Sequence, residues 1–121
     1  MPKRLLIVDD EKAFTLALRR RLELSGYEVE EASGGSDVFR RLLQRPFDLV
    51  ILDYMMPDIR GNKVCEIVRS EARFKDLPII IVTAYHNQDE ATLKSYGATE
   101  VLYKPVAVEE LLALIDKHLH Q

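Results

Sequence analysis

Two aliphatic runs in this chain end in carboxylates. Leu49-Val50-Ile51-Leu52 ends at Asp53, and Leu5-Leu6-Ile7-Val8 runs into Asp9-Asp10-Glu11. A third run, Ile79-Ile80-Ile81-Val82, ends at Thr83, and Lys104 follows a short strand-like stretch. If these runs are parallel strands of one sheet, their ends gather the carboxylates of Asp9, Asp10 and Asp53 at one edge, with Glu11 close by. Carboxylates packed together raise one another's pKa unless a cation intervenes. A hard cation such as Mg²⁺ takes one or two carboxylates together with waters and phosphate oxygens. Lys104 suits a point-charge contact to a phosphoryl oxygen or to Asp53, and Thr83 offers a hydroxyl donor. Carboxylate, cation, ammonium and hydroxyl are the parts needed for phosphoryl transfer, where positioning and charge neutralisation supply most of the catalysis. An aspartate can itself be the nucleophile and become an aspartyl phosphate.

The elements that must position these residues alternate along the chain. Strands are predicted over 5–9, 27–32, 48–53, 79–82 and 100–103, and helices over 11–24, 36–44, 61–72, 87–96 and 108–119. The helices carry apolar residues at helical spacing, as in Phe14, Ala17, Leu18 and Leu22. Ser25-Gly26, Pro46 and Gly97 mark stops. Three strands are apolar throughout, as parallel strands covered on both faces are. The second strand alternates apolar and acidic residues and the fifth is short, which places both at sheet edges. Right-handed crossovers then give the order 2-1-3-4-5. Ligands in such a sheet bind beyond the carboxyl ends of the strands where the winding reverses, here between strands 1 and 3.

Composition narrows the function classes. A chain of 121 residues fits one domain, 1–121, able to bury a core. A net charge of −3 supplies no basic field for nucleic acid, and Arg19-Arg20-Arg21 reads as a solvated helix face. Cys65, the only cysteine, sits in a helical pattern and reads as a small buried hydrophobe. No stretch reaches the roughly 18 apolar residues of a membrane span. No signal-peptide pattern opens the chain, so a cytoplasmic location is expected. His118 and His120 lie near a helix end, where they would favour the helix dipole or fray.

The sequence resembles the receiver domain of two-component response regulators. The resemblance is carried by Ile7-Val8-Asp9-Asp10-Glu11, the run from Asp48 to Asp58 with Met56-Pro57, Gly61, Pro78 to Thr83-Ala84, Gly97-Ala98 and Tyr103-Lys104-Pro105. It implies a flavodoxin-like (βα)5 doubly wound fold. It implies that Asp53 accepts a phosphoryl group from a histidine kinase or histidine phosphotransfer protein. Mg²⁺ would be held by Asp10, Asp53 and the backbone carbonyl of Met55, with Asp9 acting through water. Lys104 would pair with the phosphoryl group, Thr83 would hydrogen-bond it, and Tyr103 would turn inward as Thr83 moves. The Lys104–Pro105 bond would be cis. A downstream effector or phosphorylation-dependent self-association would read the change, without direct DNA or membrane binding by this domain. The first helix, with Phe14 and the arginines, resembles the kinase-docking side. Gly61 is read as a helix start, not a site residue.

Other classes fit less well. A flavodoxin needs a phosphate cradle after strand 1, where this chain has Asp-Asp-Glu and no glycine. A haloacid-dehalogenase-type phosphatase carries a second acid two residues after its nucleophile, where this chain has Met55. A pseudo-receiver binding module would not need the full set of Asp9, Asp10, Asp53, Thr83 and Lys104. The residues flanking the attack path, Met55 and Tyr85, are poor at orienting a hydrolytic water, so slow loss of the phosphoryl group is expected. Readout is expected through the loop after strand 4, the polar helix that follows and Tyr103, with Tyr85 and Tyr96 contributing to a partner surface.

Overall fold

The computed structural model describes residues 2–120. Five parallel strands, β1 (Arg4–Val8), β2 (Glu28–Glu31), β3 (Leu49–Leu52), β4 (Ile79–Thr83) and β5 (Glu100–Tyr103), form one sheet in the order β2-β1-β3-β4-β5. They are joined by α1 (Lys12–Leu24), α2 (Gly35–Gln44), α3 (Gly61–Arg69), α4 (Glu90–Ser95) and α5 (Val108–Leu119). The order and the flavodoxin-like winding match the expectation.

Alternation along the strands builds two cores. Leu5 and Ile7 of β1, Leu49 and Ile51 of β3, and Ile80 and Val82 of β4 face Leu18 and Leu22 of α1 and Leu111 and Ile115 of α5. Leu6, Val8, Val50, Leu52, Ile79 and Ile81 face α2, α3 and α4 through Val38, Leu42, Val64, Cys65, Val68 and Leu93. Both faces of the central strands are therefore dry, which explains their unbroken aliphatic runs. Cys65 is fully buried, and burial pushes its thiol up to about 11, so it packs as a hydrophobe.

The edge strand β2 is closed by charge. Arg4 reaches Glu28 at 2.9 Å, Arg45 reaches Glu30 at 2.9 Å, and Arg19 reaches Glu31 at 2.9 Å. A strand lined by such pairs is a poor template for another chain. Arg19 and Arg21 of the basic run are held by Glu31 and Glu109, as a solvated face would be.

Three expectations need correction. The third helix ends at Arg69, short of the predicted 72. Ser70 turns back to donate to the Ile67 carbonyl at 2.6 Å, Glu71 is extended, and a separate 3-10 turn covers Ala72–Phe74. The fourth helix is one short segment, Glu90–Ser95, in place of 87–96. Asp89 accepts from Thr92 N at 2.8 Å as its N-cap, and the preceding Gln88 carbonyl accepts from the Tyr103 hydroxyl at 2.8 Å, which keeps residues 87–89 in a loop. Of the two readings of the terminal histidines, fraying is the one corrected: His118 lies in the last turn of α5, where a cation favours the dipole, and both side chains have partners. His118 Nε2 lies 2.9 Å from Glu100 Oε2, and His120 Nε2 lies 3.0 Å from the hydroxyl of Tyr27, which donates to Asp116.

Arg69 explains why α3 stops where it does. Its guanidinium donates to the carbonyls of Phe74 at 2.8 Å, Leu77 at 2.7 Å and Gly97 at 2.7 Å. Three segments thereby converge on one side chain at the end of the sheet remote from Asp53. A methyl group at Gly97 would lie 2.8 Å from Arg69 Cγ, and Gly97 has φ 122°, so glycine is required on both counts. A lysine cannot reproduce this fork. Arg69→Lys is expected to lower unfolding free energy by about 1–3 kcal/mol, the cost of leaving partly buried carbonyls unsatisfied; an unchanged urea midpoint would show that water replaces the guanidinium.

Candidate phosphoacceptor and metal site

Strand order decides what meets at the carboxyl edge. β1 and β3 are neighbours in register, with Val8 beside Leu52, so Asp9 and Asp53 leave the sheet side by side. The Asp53 amide donates to the Val8 carbonyl at 3.0 Å, which continues the ladder one residue further. β4 and β5 pair Thr83 with Tyr103, and the Lys104 amide donates to the Thr83 carbonyl at 2.8 Å. Asp9, Asp10 and Asp53 each offer a carboxylate oxygen within 4.8 Å of the others. Asp53 is buried, Asp9 half-buried and Asp10 exposed, so the cluster opens to solvent on the Asp10 side.

One cation is shared among these acids. Lys104 Nζ donates to Asp9 Oδ2 at 2.8 Å and to Glu11 Oε1 at 2.8 Å, and lies 3.9 Å from Asp53 Oδ2. Its tightest contacts are therefore with Asp9 and Glu11, not with Asp53. Nζ also sits 4.6 Å from the centroid of the Phe14 ring. Burial works against the charge on Lys104, but the hydrogen bonds from Asp9 and Glu11 outweigh it and carry its pKa above the ordinary lysine value. Asp9 goes up instead: burial raises its pKa, and the bond from Lys104 offsets this only in part, with Asp53 pushing in the same direction as burial. Lys104 stays protonated while the acids around it remain under-neutralised. The site therefore fits a hard divalent cation with oxygen ligands.

The rest of the predicted set frames this cluster. Thr83 is fully buried, and its hydroxyl accepts from the Tyr85 amide at 3.1 Å. Met55 donates through its amide to Asp53 Oδ1 at 3.2 Å, while its side chain is exposed beside Arg60. Tyr85 stacks flat on Tyr54, with ring centroids 4.9 Å apart and planes 3° from parallel. Tyr103 packs against His86 at 4.9 Å and is anchored by the Gln88 carbonyl. Tyr85 and Tyr96 both pack against the core under α2–α4. The Lys104–Pro105 bond is cis.

Several contributors were not singled out from sequence. Glu11 is a full partner of Lys104, and Phe14 lies beneath that ammonium rather than serving only an outer face. Gly61 does more than start a helix: a methyl group there would lie 2.9 Å from Tyr54 Cα and 3.2 Å from the Asp53 carbonyl. Asp58 joins this loop to α2 through three hydrogen bonds. An Asp directly after Pro57, facing a Gly34-Gly35 helix start with no capping side chain of its own, was the signal available.

The raised pKa of Asp9 has a stability consequence. A carboxyl that binds its proton more tightly folded than unfolded stabilises the fold below its unfolded pKa of 3.8, and that contribution is lost as pH rises through the higher folded value. At neutral pH, without a divalent cation, the Asp9 carboxylate thus destabilises the fold. Asp9→Asn is expected to be more stable than the parent to urea at pH 7 in chelator, with the gap closing as pH falls toward 4. A variant less stable than the parent at pH 7 would show that the Lys104 bond dominates.

The comparisons with known proteins agree with this geometry. The sequence matches the response regulator receiver domain family over residues 5–116. Response regulator MprA of Mycobacterium sp. (strain KMS) is 42% identical over 114 residues, covering 93% of this chain and 49% of that protein. Response regulator MprA of Mycobacterium leprae (strain TN) is 41% identical over 113 residues, with 93% and 49% covered. The chain spans about half the length of the curated relatives it matches. Among solved structures, chemotaxis response regulator CheY4 of Vibrio cholerae superposes with a TM-score of 0.89 at 30% identity, covering 98% of this chain and 100% of that one. A CheY-like receiver domain protein from Methanospirillum hungatei JF-1 superposes with a TM-score of 0.87 at 30% identity, covering 97% and 93%. The chain belongs to the response regulator receiver domain family, the phosphoacceptor switches of two-component signalling.

Proposed function

We propose that Asp53 is the phosphoacceptor and that Asp9, Asp10, Asp53 and the Met55 carbonyl hold Mg²⁺ during the transfer. The observation that carries this reading is the convergence of Asp9, Asp10 and Asp53 with a single lysine at the carboxyl edge of the sheet. An Asp53 carboxylate oxygen attacks the phosphorus of a phosphohistidine on a kinase or phosphotransfer partner. A P–O bond forms, the P–N bond breaks, and the imidazole leaves. Bound Mg²⁺ supplies the positive charge that lets an anionic donor approach three carboxylates. Lys104, already 3.9 Å from Asp53 Oδ2, exchanges part of its bonding to Asp9 and Glu11 for the new phosphoryl oxygens.

The output follows from the hydroxyl of Thr83. It now accepts from the Tyr85 amide. Turning to donate to the phosphoryl group removes that acceptor and loosens the loop that Tyr85 and His86 hold against Tyr54 and Tyr103. The α4 helix that follows this loop is six residues long and buries only Leu93. Its rearrangement, with Tyr103, is the change a downstream effector or a second copy of the domain would read. The domain turns over no free metabolite in this reading.

Incubation with Mg²⁺ and acetyl phosphate, followed by intact-mass measurement, is expected to show one added phosphoryl group. Asp53→Asn and excess chelator should each abolish it; an unmodified parent protein would defeat the reading. Persistence is a separate expectation. The Met55 thioether cannot orient a hydrolytic water, and the Tyr85 phenol is committed to its stack on Tyr54. The phosphorylated protein should keep its phosphate for minutes or longer, and the double variant Met55→Asn/Tyr85→Glu should lose it faster. Loss within seconds from the parent, or no acceleration in the variant, would contradict this.

A further inference from the structure

The helix α2 begins with Gly35, preceded by Gly34, and has no side-chain cap within its own sequence. Its cap comes from the loop after β3. The Asp58 carboxylate accepts from the amides of Gly35 at 3.0 Å and Ser36 at 2.8 Å, and from the Ser36 hydroxyl at 2.5 Å. It also accepts from its own loop, at Ile59 N, at 2.9 Å. The Ser36 hydroxyl and amide, then the other donors, hold the Asp58 carboxyl well below the usual range, so it is ionised at any working pH.

The approach of loop to helix is close. Gly34 is extended, with φ 175°, a conformation open to any residue. A methyl group there would nonetheless lie 3.0 Å from both Asp58 carboxylate oxygens. A methyl group on Gly35 would lie 2.6 Å from Ile59 Cγ1. The two glycines are thus needed for contact, not for backbone freedom.

This contact ties α2 to the segment that follows Asp53. Between Asp53 and α3 the loop is held by the Met55 amide on Asp53 Oδ1, by the Gly61 amide on the Tyr54 carbonyl at 2.8 Å, by Arg60 on the Met55 sulfur at 3.0 Å and by the burial of Met56 in the core. Met55 lies in this segment, before Asp58, and its amide carries one of these ties. Outer groups that fix a ligand's orientation govern metal affinity as the ligands do.

We propose that Asp58 is a positioning residue of the phosphoacceptor site. By capping α2 from the loop, it fixes the path of the segment that carries the Met55 carbonyl, and with it the affinity for Mg²⁺. This rests on the assignment of that carbonyl as a metal ligand. An ordinary helix cap would affect stability alone; a positioning residue also affects the metal.

The test is Mg²⁺ titration by calorimetry, in parallel with urea denaturation, at a temperature where circular dichroism shows each variant folded. Asp58→Ala is expected to weaken Mg²⁺ binding about tenfold, the lower end for an outer-shell partner. Ser36→Ala, an exposed and mild change, should weaken it measurably but less. Gly34→Ala should weaken it by pushing the carboxylate aside. Gly34→Ala/Asp58→Ala should then be no weaker than Asp58→Ala alone, because the new methyl no longer meets a carboxylate. Lowered stability with the Mg²⁺ dissociation constant unchanged in both Asp58→Ala and Ser36→Ala overturns the proposal and leaves Asp58 a helix cap. If the parent binds Mg²⁺ and Asp53→Asn does not, that failure concerns Asp58 only. A parent protein that binds no Mg²⁺ overturns both this proposal and the phosphoacceptor reading.

Discussion

One ammonium group among four carboxylates is the constraint around which this molecule is built. Lys104 bonds to Asp9 and Glu11 and stands just beyond direct contact with Asp53. It cannot neutralise them all, and burial, with Asp53 acting in the same direction, raises the pKa of Asp9 despite its bond to Lys104. Such a cluster is costly in a folded protein unless a cation completes it. The fold tolerates it by placing it at the edge of the sheet, with Asp10 open to solvent, while the strands behind it are entirely dry.

That imbalance gives the remaining contacts their meaning. Phe14 supports the one cation with its ring face, so α1 is coupled to the site as well as to the core. Gly61 brings the start of α3 against the backbone that carries Asp53. The loops beyond are held by contacts that can exchange: two aromatic pairs, a hydroxyl accepting from an amide, and a carboxylate capping a neighbouring helix. At the opposite end of the sheet Arg69 ties the turn before β4 and the turn after α4 to the end of α3 with partly buried hydrogen bonds, and His118 and His120 hold the last turn of α5. One end of the sheet is thus fastened by a single guanidinium and two imidazoles, and the other by the carboxylate cluster and the aromatic pairs around it.

The errors of the sequence reading share a cause. The unbroken run Ile79-Ile80-Ile81-Val82 could only be a strand buried on both faces, and the structure places it so. The end of α3 was misread because the break at Ser70 and Glu71 is followed by a turn whose Phe74 and Leu77 carbonyls, with that of Gly97, are held by the Arg69 side chain. The start of α4 was misread because Gln88 is engaged by Tyr103 from another strand. The histidines were judged by their own helix, whereas their partners, Glu100 and Tyr27, lie in β5 and just before β2.

The sequence by itself determined the alternation of elements, the strand order and the identity of the acidic residues that meet. These follow from hydrophobic period, from the polarity of the edge strands and from the preferred handedness of crossovers, all local or nearly local properties. Only the tertiary structure decided how the charges divide. Lys104 could as well have paired with Asp53, but Glu11 and Phe14 draw it toward α1. Only the folded chain shows that Asp58 caps a helix 22 residues away, or that Tyr85 lies flat on Tyr54. Such contacts depend on distances between loops, and those distances are set by how the helices pack on the sheet, a quantity that no window of sequence contains.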